Sequence, residues 1–285
     1  MKKIFVLNLR GNIIGDSLRE DALFQYLKAK YPDSYVTTTG GTVVESIHKN
    51  NPNIDKFILI KELDHLTKNI PKIKKINCML KAMIKSHKLM IGYDVVVITQ
   101  KIKLPFLVLA KLSGVKEILK KESLPYKKYF GRMYFTKDEE NKIKRYLVKG
   151  KRIAINIESI DPKRCWNRDN YSILIEKLLG KGYKVYILGL DNEYNKPLID
   201  RFGHSIRNLI GKTSIRESAL IIKNTDLFIG NDSGLAHIAA AGDTDSLIIL
   251  LDSNVDILND PKKCRAIKLR KPSVDEVYKE VLRLL

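Results

Sequence analysis

The chain has 285 residues, of which 44% are apolar and spread along its length, which suits two domains that each bury a core. No apolar run approaches the roughly 20 residues needed to span a bilayer. The formal net charge of +20 is uneven: residues 1–150 hold 30 Lys and Arg against 14 Asp and Glu, while residues 151–285 hold 22 against 18. A basic excess confined to one half points to an anionic partner there, either nucleic acid or an anionic lipid surface.

The opening apolar run stops at Asn8 and Arg10 without a small-residue cleavage site, so it reads as a buried strand rather than a signal peptide. Strands are expected over 4–9, 35–39, 56–60 and 93–99, and helices over 17–30, from Gly41 to about 50, and over 104–112. Between them lies an amphipathic stretch, 62–90, with seven lysines against Glu62 and Asp64. A charged helix over 137–149 leads into a second series, with strands at 152–157, 184–188, 206–210, 226–229 and 247–251. Its helices are expected at 169–181, 194–202, 215–223, 234–241 and 274–284, the last capped by Ser273 with Glu276 three residues on. Apolar strands alternating with helices predict parallel sheets covered on both faces. Two such series predict an α/β chain with two Rossmann-like domains, 1–150 and 151–285, facing a cleft at the carboxyl ends of their strands.

Cys78, Cys165 and Cys264 are widely spaced, and the five histidines show no H-E-x-x-H or similar clustering. No disulfide framework and no metal site is expected, and a cytoplasmic setting is.

The strongest local signal is the run from Asp226 through Gly230-Asn231-Asp232-Ser233-Gly234-Leu235-Ala236-His237 into an Ala-rich segment ending at Ala241. A strand passes through a small polar turn directly into a helix, whose free N-terminal amides suit a diphosphate. Gly234 permits close approach to the backbone, and His237 follows one turn in. Taken alone, Asp232 or Ser233 also reads as a plain helix cap.

The segment resembles the D-[ST]-G-L-x-H-x-A-A-A signature of glycosyltransferase family 9, the heptosyltransferase family, whose fold is GT-B. Supporting matches follow in order. Arg10-Gly-Asn-Ile-Ile-Gly15-Asp16 is similar to the family's N-terminal R-x-x-x-I-G-D loop, and Asn51-Pro52-Asn53-Ile54-Asp55 to its N-P-x-I-D feature. Arg164-Cys165-Trp166 stands where the family has K-x-W, and Gly189 to Glu193 resembles its G-x-x-x-E. The resemblance implies a two-domain, inverting, metal-independent glycosyltransferase with a nucleotide-sugar donor, by family default ADP-heptose, and no cofactor. It implies Asp16 as catalytic base, Arg164 with Lys163 as the cation on the leaving diphosphate, and Glu193 on the donor ribose. Asp232, Ser233, Gly234, Leu235 and His237 would hold the diphosphate and sugar. The implied acceptor is an anionic lipopolysaccharide-core or related glycan, received by the basic N-terminal half, which would lie peripherally against an anionic membrane surface. Nucleic acid is then not an expected partner. The chain departs from the family after Asp16, where Ser17-Leu18-Arg19 replaces an apolar pair and Thr-Pro, and at Arg164, where the family has Lys.

Other motifs fail on inspection. Gly211-Lys212-Thr213 lacks the earlier glycine of a phosphate loop, and Gly11 and Gly15 do not form G-x-G-x-x-G. Asp243-Thr244-Asp245 reads as turn chemistry between a helix and a strand. Asp252, Asp256 and Asp260 read as a solvated face. The rival readings are a nucleic-acid-binding protein and a GT-B-fold nucleotide-sugar epimerase.

Overall fold

The computed structural model describes residues 1–9, 13–66, 70–99, 104–190, 193–251 and 259–285. The chain divides into two compact units, Met1–Tyr134 and Phe135–Leu285, each built on one parallel sheet. Residues 135–150 pack with the second unit. Arg216 grips Glu139 at 2.7 and 2.9 Å, and the Tyr186 hydroxyl accepts the Val148 N–H at 3.0 Å and donates to the Tyr146 carbonyl at 3.1 Å.

The first unit runs β1 (Lys3–Leu7), α1 (Ile14–Lys30), β2 (Tyr35–Gly40), α2 (Thr42–His48), β3 (Lys56–Leu59), α3 (Lys72–Met90), β4 (Val95–Ile98), α4 (Leu104–Leu112) and β5 (Glu117–Lys120). Its strand order is β3-β2-β1-β4-β5. The two-residue period of a strand divides β1 between two cores. Phe5 and Leu7 join Val96 and Ile98 under α3 and α4. Ile4 and Val6 join Val95, Val97 and the α1 residues Leu23, Phe24 and Leu27 on the opposite face.

The second unit runs α5 (Lys137–Ile143), β6 (Arg152–Asn156), α6 (Arg168–Gly180), β7 (Lys184–Ile187), α7 (Lys196–Phe202), β8 (Arg207–Asn208), α8 (Ile215–Lys223), β9 (Leu227–Asn231), α9 (Gly234–Ala241), β10 (Ser246–Leu250), β11 (Ala266–Arg270) and α10 (Val274–Leu284). Its order is β11-β10-β9-β6-β7-β8. Ile153, Ile155, Leu227, Ile229, Leu247 and Ile249 form one core face against α6 and α10. Both capping-box bonds between Ser273 and Glu276 are present.

Several boundaries differ from the sequence expectation. The helix expected over 17–30 begins at Ile14, so Asp16 lies within its first turn rather than in the preceding loop. The charged helix ends at Ile143 and continues as a 3-10 turn, and β8 is only two residues long. Strands β5 and β11 had no counterpart in the sequence reading. Both are sheet edges whose one-sided burial admits lysine, glutamate and arginine, which mutes the apolar run that marks a central strand. Asp243 and Asp245 pair with Lys263 and Arg265, with Asp243 at φ 60, in keeping with turn chemistry.

His48 closes α2 in the core of the first unit, edge-on to Phe24 at 5.1 Å, and neither ring nitrogen has a hydrogen-bond partner among the described residues. Burial, aided by the charge of Lys121, lowers its pKa from 6.5 to about 3. The folded state therefore keeps His48 neutral while the unfolded chain protonates below pH 6.5. Its contribution to stability is whole above pH 6.5 and is lost as pH falls towards 3. We expect His48→Phe to reduce the slope of unfolding free energy against pH in this window by up to about 1.4 kcal/mol per pH unit, measured by urea titration. An unchanged slope would contradict the buried neutral imidazole.

Candidate active site

In the second unit the chain order reverses between β6 and β9. β7 lies on one flank of β6 and β9 on the other, with Asn156 opposite Gly230. An open α/β sheet forms its ligand crevice at the carboxyl edge of such a switch point. Both strands end there in a buried asparagine, and the two amides organise the surrounding loops.

Asn231 Oδ1 accepts the Trp166 backbone N–H at 2.9 Å and the Tyr171 hydroxyl at 3.0 Å. Burial pushes the Tyr171 phenol well above its ordinary pKa, so it stays a donor. Trp166 stacks edge-on against Tyr171 at 5.0 Å, and its indole N–H donates to the Pro272 carbonyl. These contacts pin the 3-10 turn Pro162–Arg164 above the end of β9. From that turn Arg164 reaches Asp232, Nη1 to Oδ2 at 2.9 Å. The Asp232 side chain is 3% exposed and that of Arg164 is 41% exposed. The carboxylate is thus held inside the fold while the guanidinium keeps an open side. Asp161 steadies the arginine from its outer edge, Nε to Oδ2 at 3.6 Å. Lys163 is exposed and forms no ion pair among the described residues.

Asn156 links the other parts. Its Nδ2 donates to the Leu188 carbonyl at 3.0 Å, and its Oδ1 accepts from Ser233 Oγ at 2.9 Å. Ser233 is the N-cap residue of α9, yet its side chain makes no cap bond, having turned to Asn156. The plain helix-cap reading of Ser233 is therefore not what the structure contains. The first amides of α9, at Gly234 and Leu235, follow the carboxyl end of β9 without a side-chain cap, and both residues, like His237 after them, are half-buried. Ser159 Oγ donates to the Asp232 carbonyl at 3.0 Å and fixes the turn from below.

Beyond β7, Gly189 adopts φ +157, and a Cβ there would lie 2.5 Å from Glu158 Oε1. The Glu158 carboxylate accepts the Leu190 N–H and the Asn195 amide, the latter at 2.8 Å. Glu193 lies exposed in the following turn; its neighbours Asp191 and Asn192 lie outside the described residues. The structure thus brings together Arg164, Asp232, Ser233, Gly234, Leu235 and His237. It adds Asn156, Glu158, Ser159, Tyr171 and Asn231; of these, the sequence marks only Asn231, as part of the polar turn before α9.

Asp16 belongs to the first unit. It sits half-buried in the first turn of α1, 3.7 Å from Arg19, following the carboxyl end of the central strand β1. Arg10, Gly11 and Asn12 of the same motif lie outside the described residues. We expect Asn231→Ala, which strands the Trp166 N–H and leaves the Tyr171 hydroxyl only its 3.3 Å bond to the Asn156 carbonyl, to lower stability by roughly 1–3 kcal/mol. The check is a reduced urea midpoint at unchanged slope, and an unmoved midpoint would remove Asn231 as the anchor.

A family model described as glycosyltransferase family 9 (heptosyltransferase) matches residues 85–255, more than half of the chain. Lipooligosaccharide heptosyltransferase 2 of Haemophilus influenzae is 35% identical over 86 residues, a stretch covering 28% of this chain and 25% of that protein. The glycosyl transferase family 9 structure from Veillonella parvula superposes with TM-score 0.80 at 15% identity, covering 99% of this chain and 97% of that one. The ADP-heptose LPS heptosyltransferase II of E. coli gives 0.75 at 16%, covering 100% and 98%. At such identities the likeness establishes the fold, two parallel-sheet α/β domains of the GT-B type. With the family model covering this much of the chain, and its D-S-G-L-x-H segment forming the head of α9, the protein belongs to glycosyltransferase family 9, the heptosyltransferase family.

Proposed function

We propose that this chain is a glycosyltransferase that moves a sugar from a nucleoside-diphosphate donor to an anionic lipopolysaccharide-core or related glycan acceptor. The observation that carries this reading is the Arg164–Asp232 pair set beside the uncapped head of α9. Asp232 orients the guanidinium and the open side of Arg164 meets the diphosphate, while the amides of Gly234 and Leu235 add the helix-terminal partial charge. Lys163, one residue earlier, adds long-range positive charge. Leu235 and His237 bound the donor sugar, and Glu193 accepts hydrogen bonds from the ribose hydroxyls.

In the reaction the acceptor hydroxyl oxygen attacks the anomeric carbon from the face opposite the diphosphate. The new C–O bond forms as the bond to the diphosphate oxygen breaks, which inverts the centre. Asp16 takes the hydroxyl proton as general base. Negative charge building on the departing diphosphate is met by Arg164 and the α9 amides, the role a metal ion fills elsewhere, so the proposed reaction needs none. Roles divide by half, with the donor on residues 151–285 and the acceptor on 1–150. The name of the E. coli structure makes ADP-heptose the first donor to try, and that of the Haemophilus relative makes a lipooligosaccharide core the first acceptor. Such an acceptor implies work at the cytoplasmic face of a membrane. No helix among the described residues is long and apolar enough to cross one, so the proposed attachment is peripheral.

Donor binding is tested by thermal shift with ADP-, UDP-, GDP- and CMP-sugars. We expect one of them to raise the melting temperature of the parent and to have little effect on Asp232→Ala. Equal shifts in both proteins would overturn the site. Asp16→Asn should keep donor binding and lose transfer by roughly 10²-fold or more, as for a missing general base, and undiminished transfer would release Asp16 from that role. Conversion of donor to an epimer with no acceptor present would favour an epimerase instead.

A further inference from the structure

The sheet-facing side of α3 is buried through Ala82, Ser86 and Met90, with Met79 and Met83 packed into the same core. The side of a surface helix turned away from its sheet is ordinarily polar, and on α3 it carries Asn77, Lys81 and Lys88. The flank between that side and the buried one is apolar. Ile73, Ile76, Leu80 and Ile84, together with Ile91 just past the helix, are between 49% and 73% exposed. At 100° per residue the four helical positions fall within an arc of about 80°, and with Ile91 the stripe runs about 27 Å along the surface. Lys74, Lys81, Lys85 and Lys88 follow one edge of it, all exposed, and α3 contains no Asp or Glu. No ion pair occupies these four lysines among the described residues. The neighbouring α4 is tied to α3 by hydrogen bonds of Ser113 and Leu109 to His87, and it adds exposed Val108 and Leu112 beside Lys111.

The two parts of this surface call for different things from a partner. The aliphatic stripe gains by leaving water, which a phosphate backbone of nucleic acid does not offer it. The lysine row requires anionic charge close by. A second copy of the same face would bring lysine against lysine with no acidic group to offset it. An anionic bilayer satisfies both, with isoleucines among the upper acyl chains and lysines reaching out to the phosphates. The unit as a whole, Met1–Tyr134, carries 25 Lys and Arg against 11 Asp and Glu.

We propose that the exposed face of α3, extended by Val108 and Leu112, is the surface on which this protein lies against an anionic lipid membrane. The inference deepens the reading of the N-terminal half as the acceptor side and rests on it for its setting, since a lipid-linked acceptor is presented at such a surface.

The test is flotation of the full chain with vesicles of phosphatidylethanolamine and phosphatidylglycerol, compared with vesicles of phosphatidylcholine alone. We expect the parent to float with the anionic vesicles and far less with phosphatidylcholine. The exposed double variants Ile76→Glu/Ile84→Glu and Lys81→Glu/Lys85→Glu should each bind ~10-fold less or weaker, at unchanged melting temperature. Leu80→Trp should give a blue-shifted emission on the anionic vesicles that brominated acyl chains quench. No vesicle binding by the parent, undiminished binding by both double variants, retention on duplex DNA in place of vesicles, or a dimer abolished by Ile76→Glu would each overturn the proposal. Donor thermal shifts on the same preparations keep the two readings separate: a donor response without flotation sinks only the docking surface, and flotation without a donor response sinks only the enzyme.

Discussion

Asp232 is a carboxylate that folding has removed from water, and a buried ion without a partner is among the costliest groups a protein can hold. Arg164 meets that requirement at 2.9 Å, and much of the second unit's local architecture serves to deliver it. The arginine rides on a single turn of 3-10 helix, a weak element by itself. It is rigid because the next residue but one, Trp166, is fastened through its backbone to Asn231, through its indole to Pro272 and by ring contact to Tyr171. The anchor Asn231 is the residue immediately before the carboxylate. One strand end therefore holds both the charge and the clamp that brings its counter-charge, so the geometry of the pair is set within two residues of chain.

The same corner accounts for the helix head. Ser233 would ordinarily cap α9, yet it bonds to Asn156 on the adjacent strand. Forgoing the cap costs about 1 kcal/mol of helix stability. In exchange it ties β6 to β9 and leaves the α9 amides for another acceptor. A cap bond given up in favour of an inter-strand bond is the kind of local conflict expected where a fold serves a ligand. The proposed diphosphate would supply the missing acceptor.

How much of this the sequence disclosed depends on how local each feature is. The strand–turn–helix at 226–241 is contiguous, and its polar turn between apolar segments exposes the design directly. The capping box at Ser273 and Glu276 was readable for the same reason. Asn156 and Asn231 meet only after 74 intervening residues have folded into place, and an asparagine at a strand end looks like ordinary turn chemistry. Glu158 was hidden likewise, since its partners Leu190 and Asn195 lie more than thirty residues away. The first helix began early because Ile13 and Ile14 follow a polar stretch and carry no capping side chain, so no start signal marked the boundary. The stripe on α3 illustrates an opposite difficulty. Periodicity assigns isoleucines to a core by default, and counting lysines reveals the charge but not that aliphatic side chains face outward beside it.

The most direct measurement is a crystal structure of the chain with a nucleoside diphosphate bound. The account predicts the terminal phosphate within hydrogen-bond distance of the open side of the Arg164 guanidinium and of the Gly234 or Leu235 amide, with the Arg164–Asp232 pair retained. A diphosphate seated away from the carboxyl ends of β6 and β9, with Arg164 and the head of α9 untouched, would contradict it.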